Sequence, residues 1–221
     1  MKHLLTISLF FFAFLANNFA QSSNIVITFD HQAAGVPLKL NQTIFAIWNN
    51  KNVKITRAQF YISEMVVHRA DNTLMPLMDQ YLLVNANTPV AEYDLGLWSV
   101  EAAYGMTLHL GVPQDVNHLD PTTYPADHAL ALHNPTMHWG WSGGYRFMAI
   151  EGKVDNNGDG IPETEFQFHN LFDALYRSVE LSGVKEAENG VLHLHFVVDY
   201  VQLFKNLDMT GNLLQHGAAA P

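Results

Sequence analysis

The segment Val191–Val198 constrains the fold more than any other. Leu192, Leu194, Phe196 and Val198 recur at every second position, and His193 and His195 fill two of the places between them. A period of two puts alternate side chains on opposite faces of an extended strand, whereas a helix would scatter both sets around its axis. The same alternation recurs along the chain. Ile25, Ile27 and Phe29 share one face of a first strand, and Val53–Ile62, Tyr81–Val84, Met106–Leu110, Tyr145–Val154, Glu163–His169 and Tyr176–Leu181 follow. Helical periodicity is confined to short pieces such as Ala126–Leu132. Many short strands separated by turn residues predict an all-β, single-domain antiparallel β-sandwich or barrel-like fold. Between Val112 and Gly144 no strand is expected. Four prolines (Pro113, Pro121, Pro125, Pro135) punctuate one long His/Pro-rich loop there, and loops of that length in a compact domain are commonly functional.

The chain opens with Lys2, an apolar run from Leu4 to Leu15, and Asn18-Phe19-Ala20-Gln21. This reads as a secretory signal peptide, residues 1–20, cleaved after Ala20; the apolar run is too short to span a bilayer. A retained N-terminal anchor is the alternative. No later segment is apolar enough to span a membrane, so the expected location is periplasmic or secreted. Residues 21–210 are expected to form one β domain, and residues 211–221 a frayed tail. There is no Cys, so an exported chain of this kind must rest on its core or on metals. The 21 acidic residues outnumber the 11 Lys and Arg, which argues against nucleic acid or an anionic membrane as partner.

Met137-His138-Trp139-Gly140-Trp141 packs a thioether, an imidazole and two indoles into five residues at the end of the long loop. Met and His suit copper, which makes Met137 and His138 candidate ligands. His31 and His169 fall at strand ends, where loops converge into sites; His193 and His195 share a face and read as the polar outside of a strand. Trp139 and Trp141 share a face if the segment is extended, and either ring could pack in the core or border a site. A second motif is Asp155-Asn156-Asn157-Gly158-Asp159-Gly160-Ile161-Pro162-Glu163. Asp155, Asn157 and Asp159 at alternate positions, the Ile161 carbonyl and a closing Glu163 or Glu165 match the first half of a calcium loop, set between strands instead of helices. A plain hairpin turn is the competing reading.

The block Met137–Gly152 resembles the signature of the MbnP-like family, periplasmic copper-binding proteins associated with methanobactin operons. Ile27-Thr28-Phe29-Asp30-His31 with Gly35, Arg57–Ser63, Leu108–Val112 and Phe166–His169 resemble further blocks of that family, so the likeness spans most of the chain. The resemblance implies an all-β domain that binds copper outside the cytoplasm. It also implies that Trp139 or Trp141 is oxidised to kynurenine by a di-haem, peroxidase-like partner enzyme. The aromatic amine so formed would join two imidazoles, drawn from His31, His138 and His169, on copper.

Three functions compete on the sequence alone. The first is a copper-binding protein acting in copper storage, delivery or sensing. The second is a calcium-stabilised binding module that uses exposed tryptophans. The third is a mononuclear metal enzyme, but no HExxH, no Gly-x-Ser-x-Gly and no Cys nucleophile is present, and no catalytic constellation can be assembled.

Overall fold

The computed structural model describes residues 22–217. The signal-peptide reading and the last four residues of the expected tail lie outside them. Strands run in chain order as β1 (Ser23–Ala33), β2 (Val36–Pro37), β3 (Ile44–Ala46), β4 (Asn52–Arg69), β5 (Leu74–Pro76), β6 (Leu82–Asn85), β7 (Val90–Trp98) and β8 (Ala102–Leu110), then β9 (Met148–Val154), β10 (Thr164–Asn170), β11 (Arg177–Glu186), β12 (Val191–Asp199) and β13 (Leu214–His216). Between β8 and β9 lie one helical turn, α1 (Gln114–Asn117), and a 3-10 turn at Pro121–Thr123.

The strands form a β-sandwich. The smaller sheet has β1 at its centre, flanked by β12 on one edge and by β7 and the short β2 on the other. The larger runs β11-β8-β4-β9-β10-β13, with β3, β5 and β6 also paired to β4. Ile25, Ile27 and Phe29 of β1 and Leu192 and Leu194 of β12 face Phe60, Ile62 and Val67 of β4 and Leu108 of β8 across the core. Along β12 the apolar positions alternate with exposed ones, as the period of two requires, and His193 and His195 are exposed; on β1 and β4 both faces are covered in places, with Val26 and Tyr61 buried between the core residues.

Several sequence expectations need correction. The sheets are mixed: β1 with β12, and β10 with β13, are parallel pairs. Ala126–Leu132 forms turns and no helix, because Pro125 and the flanking loop leave no length for one. The strand expected from Tyr145 begins at Met148, and Tyr145 makes only an isolated bridge with His138. The tail is ordered in part: β13 pairs with Gln167, Phe168 and His169 of β10. Strand β7 keeps Ala91, Tyr93 and Leu95 on its less exposed face but exposes the apolar Val90 and Leu97, and the sequence reading passed over it.

Two irregularities shape the functional end of the larger sheet. The ladder between β4 and β9 shifts register between Ile55 and Arg57, which sets Arg57 directly opposite Glu151. Bulges of this kind re-aim a side chain. Beyond the start of β9 the chain continues as a ribbon: Arg146 N–H donates to the Met137 carbonyl at 2.7 Å, and Trp139 N–H to the Gly144 carbonyl at 2.8 Å. This ribbon carries the Met-His-Trp segment onto the end of the sheet beside β10 and β13.

Candidate metal centre

Three chain segments meet at one point. Strand β10 supplies His169, β13 supplies His216, and the ribbon supplies Trp139. The Nδ1 atoms of His169 and His216 lie 2.8 Å apart. The Trp139 ring stacks on His216 at a centroid distance of 5.0 Å and meets His169 edge-on at 6.0 Å. Arg146 covers the indole from the other side, with Cζ 4.4 Å from the ring centroid. Such a contact contributes about 0.5–1 kcal/mol where partly exposed.

His169 is 4% exposed and held from behind. Its Nε2 lies 2.9 Å from Glu151 Oε1, and Glu151 pairs in turn with Arg57 Nη1 at 2.8 Å. Arg57 also donates to Gln59, to the Thr136 carbonyl and to the Met137 sulfur, at 3.2 Å for the last. Burial pushes the His169 imidazole below its ordinary value, and the bond to Glu151 only partly offsets this. Burial alone would raise the Glu151 carboxyl, but its bonds to His169 and Arg57 outweigh that and lower it. The pair is therefore a neutral imidazole on a carboxylate, which leaves one ring nitrogen lone pair available at neutral pH.

The turn that delivers Trp139 depends on its glycines. Gly144 has φ +67°, and a Cβ there would run into the Asn117 amide. That amide accepts from Tyr145 N–H at 2.7 Å and donates to Asp173 at 2.8 Å, tying α1 to the ribbon. A Cβ on Gly143 would meet Trp139 Cδ1 at 2.9 Å. The spacing Trp-x-x-x-Gly-Gly thus serves to seat the first indole.

The residues singled out by sequence separate into different places. Neighbours in an extended segment point to opposite faces: Met137 and Trp139 face Arg57 and His169, and His138 faces the other way. The His138 ring packs edge-on against Tyr145 at 5.0 Å and Trp141 at 6.1 Å. Its Nδ1 accepts from Gly140 N–H at 3.2 Å, and its buried Nε2 has no partner. Burial lowers its pKa, against the opposing charge of Asp120. Met137 is buried with its sulfur turned to Arg57. Gly140, at φ +101°, breaks the extended run, so Trp141 leaves the face of Trp139 and stands 62% exposed. His31 is wholly buried, 3.0 Å from the Tyr200 hydroxyl through Nδ1. Burial drops its pKa to about 4, with Asp30 opposing. Of the three expected imidazoles, only His169 is brought to Trp139; the other imidazole beside that ring is His216, on the segment read as frayed. No pattern in the sequence marks His216.

The acidic loop folds tightly. Both Asp155 carboxylate oxygens accept from backbone N–H groups, of Gly158 and Gly160, each at 2.7 Å. Asn157 accepts from Asp159 N–H and Asp159 from Ile161 N–H, both at 2.8 Å. Oxygens of Asp155, Asp159 and Glu163 lie within 4.8 Å of one another. Glu165 turns away to Lys153, at 3.6 Å, which leaves Glu163 as the closing carboxylate. Ile161 has an exposed side chain at the position whose carbonyl the calcium reading uses.

A family model described as MbnP matches residues 22–218. Among solved structures, MbnP from Methylosinus trichosporium superposes with a TM-score of 0.61 at 16% identity, covering 90% of this chain and 82% of that one. No curated protein sequence matches the chain. Among the described residues, no helix is long and apolar enough to cross a membrane.

Proposed function

The chain belongs to the MbnP family, and from that premise we propose that it is an exported copper-binding protein whose site is built from His169, His216 and Trp139. The observation that carries this reading is the approach of two imidazole Nδ1 atoms to 2.8 Å beneath an indole ring. Two imidazoles on adjacent strands are donors that suit copper, and a small outward movement of the exposed His216 would open a two-coordinate gap between them. Bound copper would supply a redox-active, thiophilic centre for storage, delivery or sensing. His169 supplies the fixed donor, His216 the movable one, and the Trp139 ring walls the site from solvent on one side.

The same geometry favours Trp139 over Trp141 as the residue converted to kynurenine. Oxidative cleavage of its pyrrole C2–C3 bond, with the oxidant supplied through the partner enzyme, followed by hydrolysis of the N-formyl group to formate, would leave an aromatic amine next to both imidazoles. Trp139 is 44% exposed, which leaves it open to a di-haem partner enzyme. Trp141 instead lies beside His138 and His118, the latter with Nδ1 3.1 Å from the Trp141 carbonyl, and among the described residues those two imidazoles make no ring contact or hydrogen bond with each other.

The acidic loop supports a second, structural metal. Three converging carboxylate oxygens suit a hard cation such as calcium, which would relieve their repulsion and pin the β9–β10 hairpin behind the copper site. The test of the whole reading is metal analysis and peptide mass spectrometry on protein from its native host. Expected are copper near stoichiometry and a tryptophan-to-kynurenine mass change on residue 139. Calcium alone with both tryptophans intact would replace it with a calcium-stabilised module that binds through exposed Trp141.

A further inference from the structure

We infer that Glu151, clamped by Arg57, is a positioning residue that fixes the His169 proton on Nε2 and so reserves Nδ1 as the metal-facing nitrogen. This rests on the copper reading of the His169–His216–Trp139 site. A neutral imidazole carries one N–H, and which nitrogen bears it is set by the partner of the other. Glu151 Oε1 accepts at 2.9 Å from Nε2 and can accept only. The proton is therefore held at the back of the ring, and the Nδ1 lone pair points at His216. Glu151 itself has little freedom: Arg57 holds it at 2.8 Å from the neighbouring strand, in the register that the β4–β9 bulge creates. Arg57 reaches the Thr136 carbonyl and the Met137 sulfur as well, so the same clamp fixes the segment that carries Trp139.

The two histidines then have unequal tasks. With Nδ1 of His169 an acceptor, the 2.8 Å contact requires His216 to donate through its own Nδ1–H in the metal-free protein. His216 is exposed, and its ring Nε2 makes no hydrogen bond among the described residues. It can lose that proton from Nδ1 and regain one from solvent on Nε2. The buried ring is set in advance and the exposed ring adjusts.

Glu151→Gln tests this, because an amide can either accept from Nε2–H or donate to a bare Nε2 and no longer dictates the tautomer. Long-range 15N–1H correlation spectra of the metal-free wild type should show His169 as the Nε2–H form. The Gln variant should show a mixture, with unchanged backbone shifts in β4 and β8. Cu(I) affinity, measured against a chromophoric chelator on protein made in the native host, should fall by about 10–100-fold, the usual effect of losing an outer partner of a ligating histidine. A wild-type His169 in the Nδ1–H form, or a Gln variant that keeps the Nε2–H form and full affinity, overturns the inference. His169→Ala in parallel separates the two levels. Lost copper binding there, with an unaffected Gln variant, overturns only the role of Glu151. Retained copper binding there overturns the site itself and the role of Glu151 with it.

Discussion

The imidazole site and the acidic loop are built in opposite ways. Nine consecutive residues, Asp155–Glu163, make the loop, and its side chains are held largely by bonds to its own backbone. The imidazole site draws Trp139, His169 and His216 from three separate segments and is held by the sheet: by the β10–β13 pairing, by the ribbon at Met137–Phe147, and by the Arg57–Glu151 clamp. A local cluster preorganises itself as its hairpin closes. A dispersed one exists only when the whole fold does. Its affinity should therefore follow global stability and strand docking, while that of the loop should not.

The largest effect that would sharpen this contrast is His169→Ala. Cu(I) affinity should fall beyond the roughly 10–100-fold typical of outer partners, while the response of thermal unfolding to calcium stays as in the wild type. Parallel loss of both in Cu(I) competition and calcium titrations would mean that the two regions are one unit.

The next concerns His31, which is buried against Tyr200 and away from Trp139 in the proposed site. Its folded pKa, about 4, lies below its ordinary 6.5 because of burial. The unfolded chain takes up that proton first. Its stabilising contribution is therefore complete above about pH 6.5, is lost as pH falls toward 4, and changes no further below that. The loss amounts to about 3 kcal/mol, at roughly 1.4 kcal/mol per pH unit. Denaturant unfolding should show His31→Asn losing less stability than wild type over that window by about this amount, with copper affinity intact. Abolished copper binding would return His31 to the ligand set.

Calcium removal comes third. A ligand at 100 times its Kd stabilises by about 2.7 kcal/mol, which for a chain of this size raises Tm by roughly 5–10 °C. Chelation should lower Tm by about this much in the wild type and not in Asp159→Ala, with copper affinity unchanged. An identical Tm with and without calcium would reduce the loop to a hairpin turn.

The smallest effect is that of Gly144→Ala. A positive φ with a Cβ, and displacement of the Asn117 amide, should cost about 1–2 kcal/mol in denaturant unfolding. It should also weaken copper binding by loosening Trp139, and leave the calcium response untouched. Were calcium affinity to fall alongside, the hairpin and the ribbon would be coupled.

The same contrast explains what the sequence disclosed. Strands such as β12 were legible because Leu192 and Leu194 are buried and His193 and His195 are not, so burial and period agree. The acidic loop was legible because its geometry lies within nine residues. Strand β7 was not, since only Leu95 is fully buried and the exposed Val90 and Leu97 blur the inward row of Ala91, Tyr93 and Leu95. His169 was singled out from its place at a strand end, and the fold sets it beside Trp139. His216 was not, because its position follows from a parallel pairing with β10 that only the folded chain brings about. His138 was misplaced by proximity: adjacency in an extended segment sends it to the face opposite Trp139. The two tryptophans part company at the single backbone angle of Gly140, which the letters do not contain.

Anomalous diffraction at the copper edge, from crystals of the copper-loaded protein, tests the assignment most directly. One peak between the Nδ1 atoms of His169 and His216, beside residue 139, is the predicted result. A peak at His138 and Trp141, or at His31 and Tyr200, would contradict it.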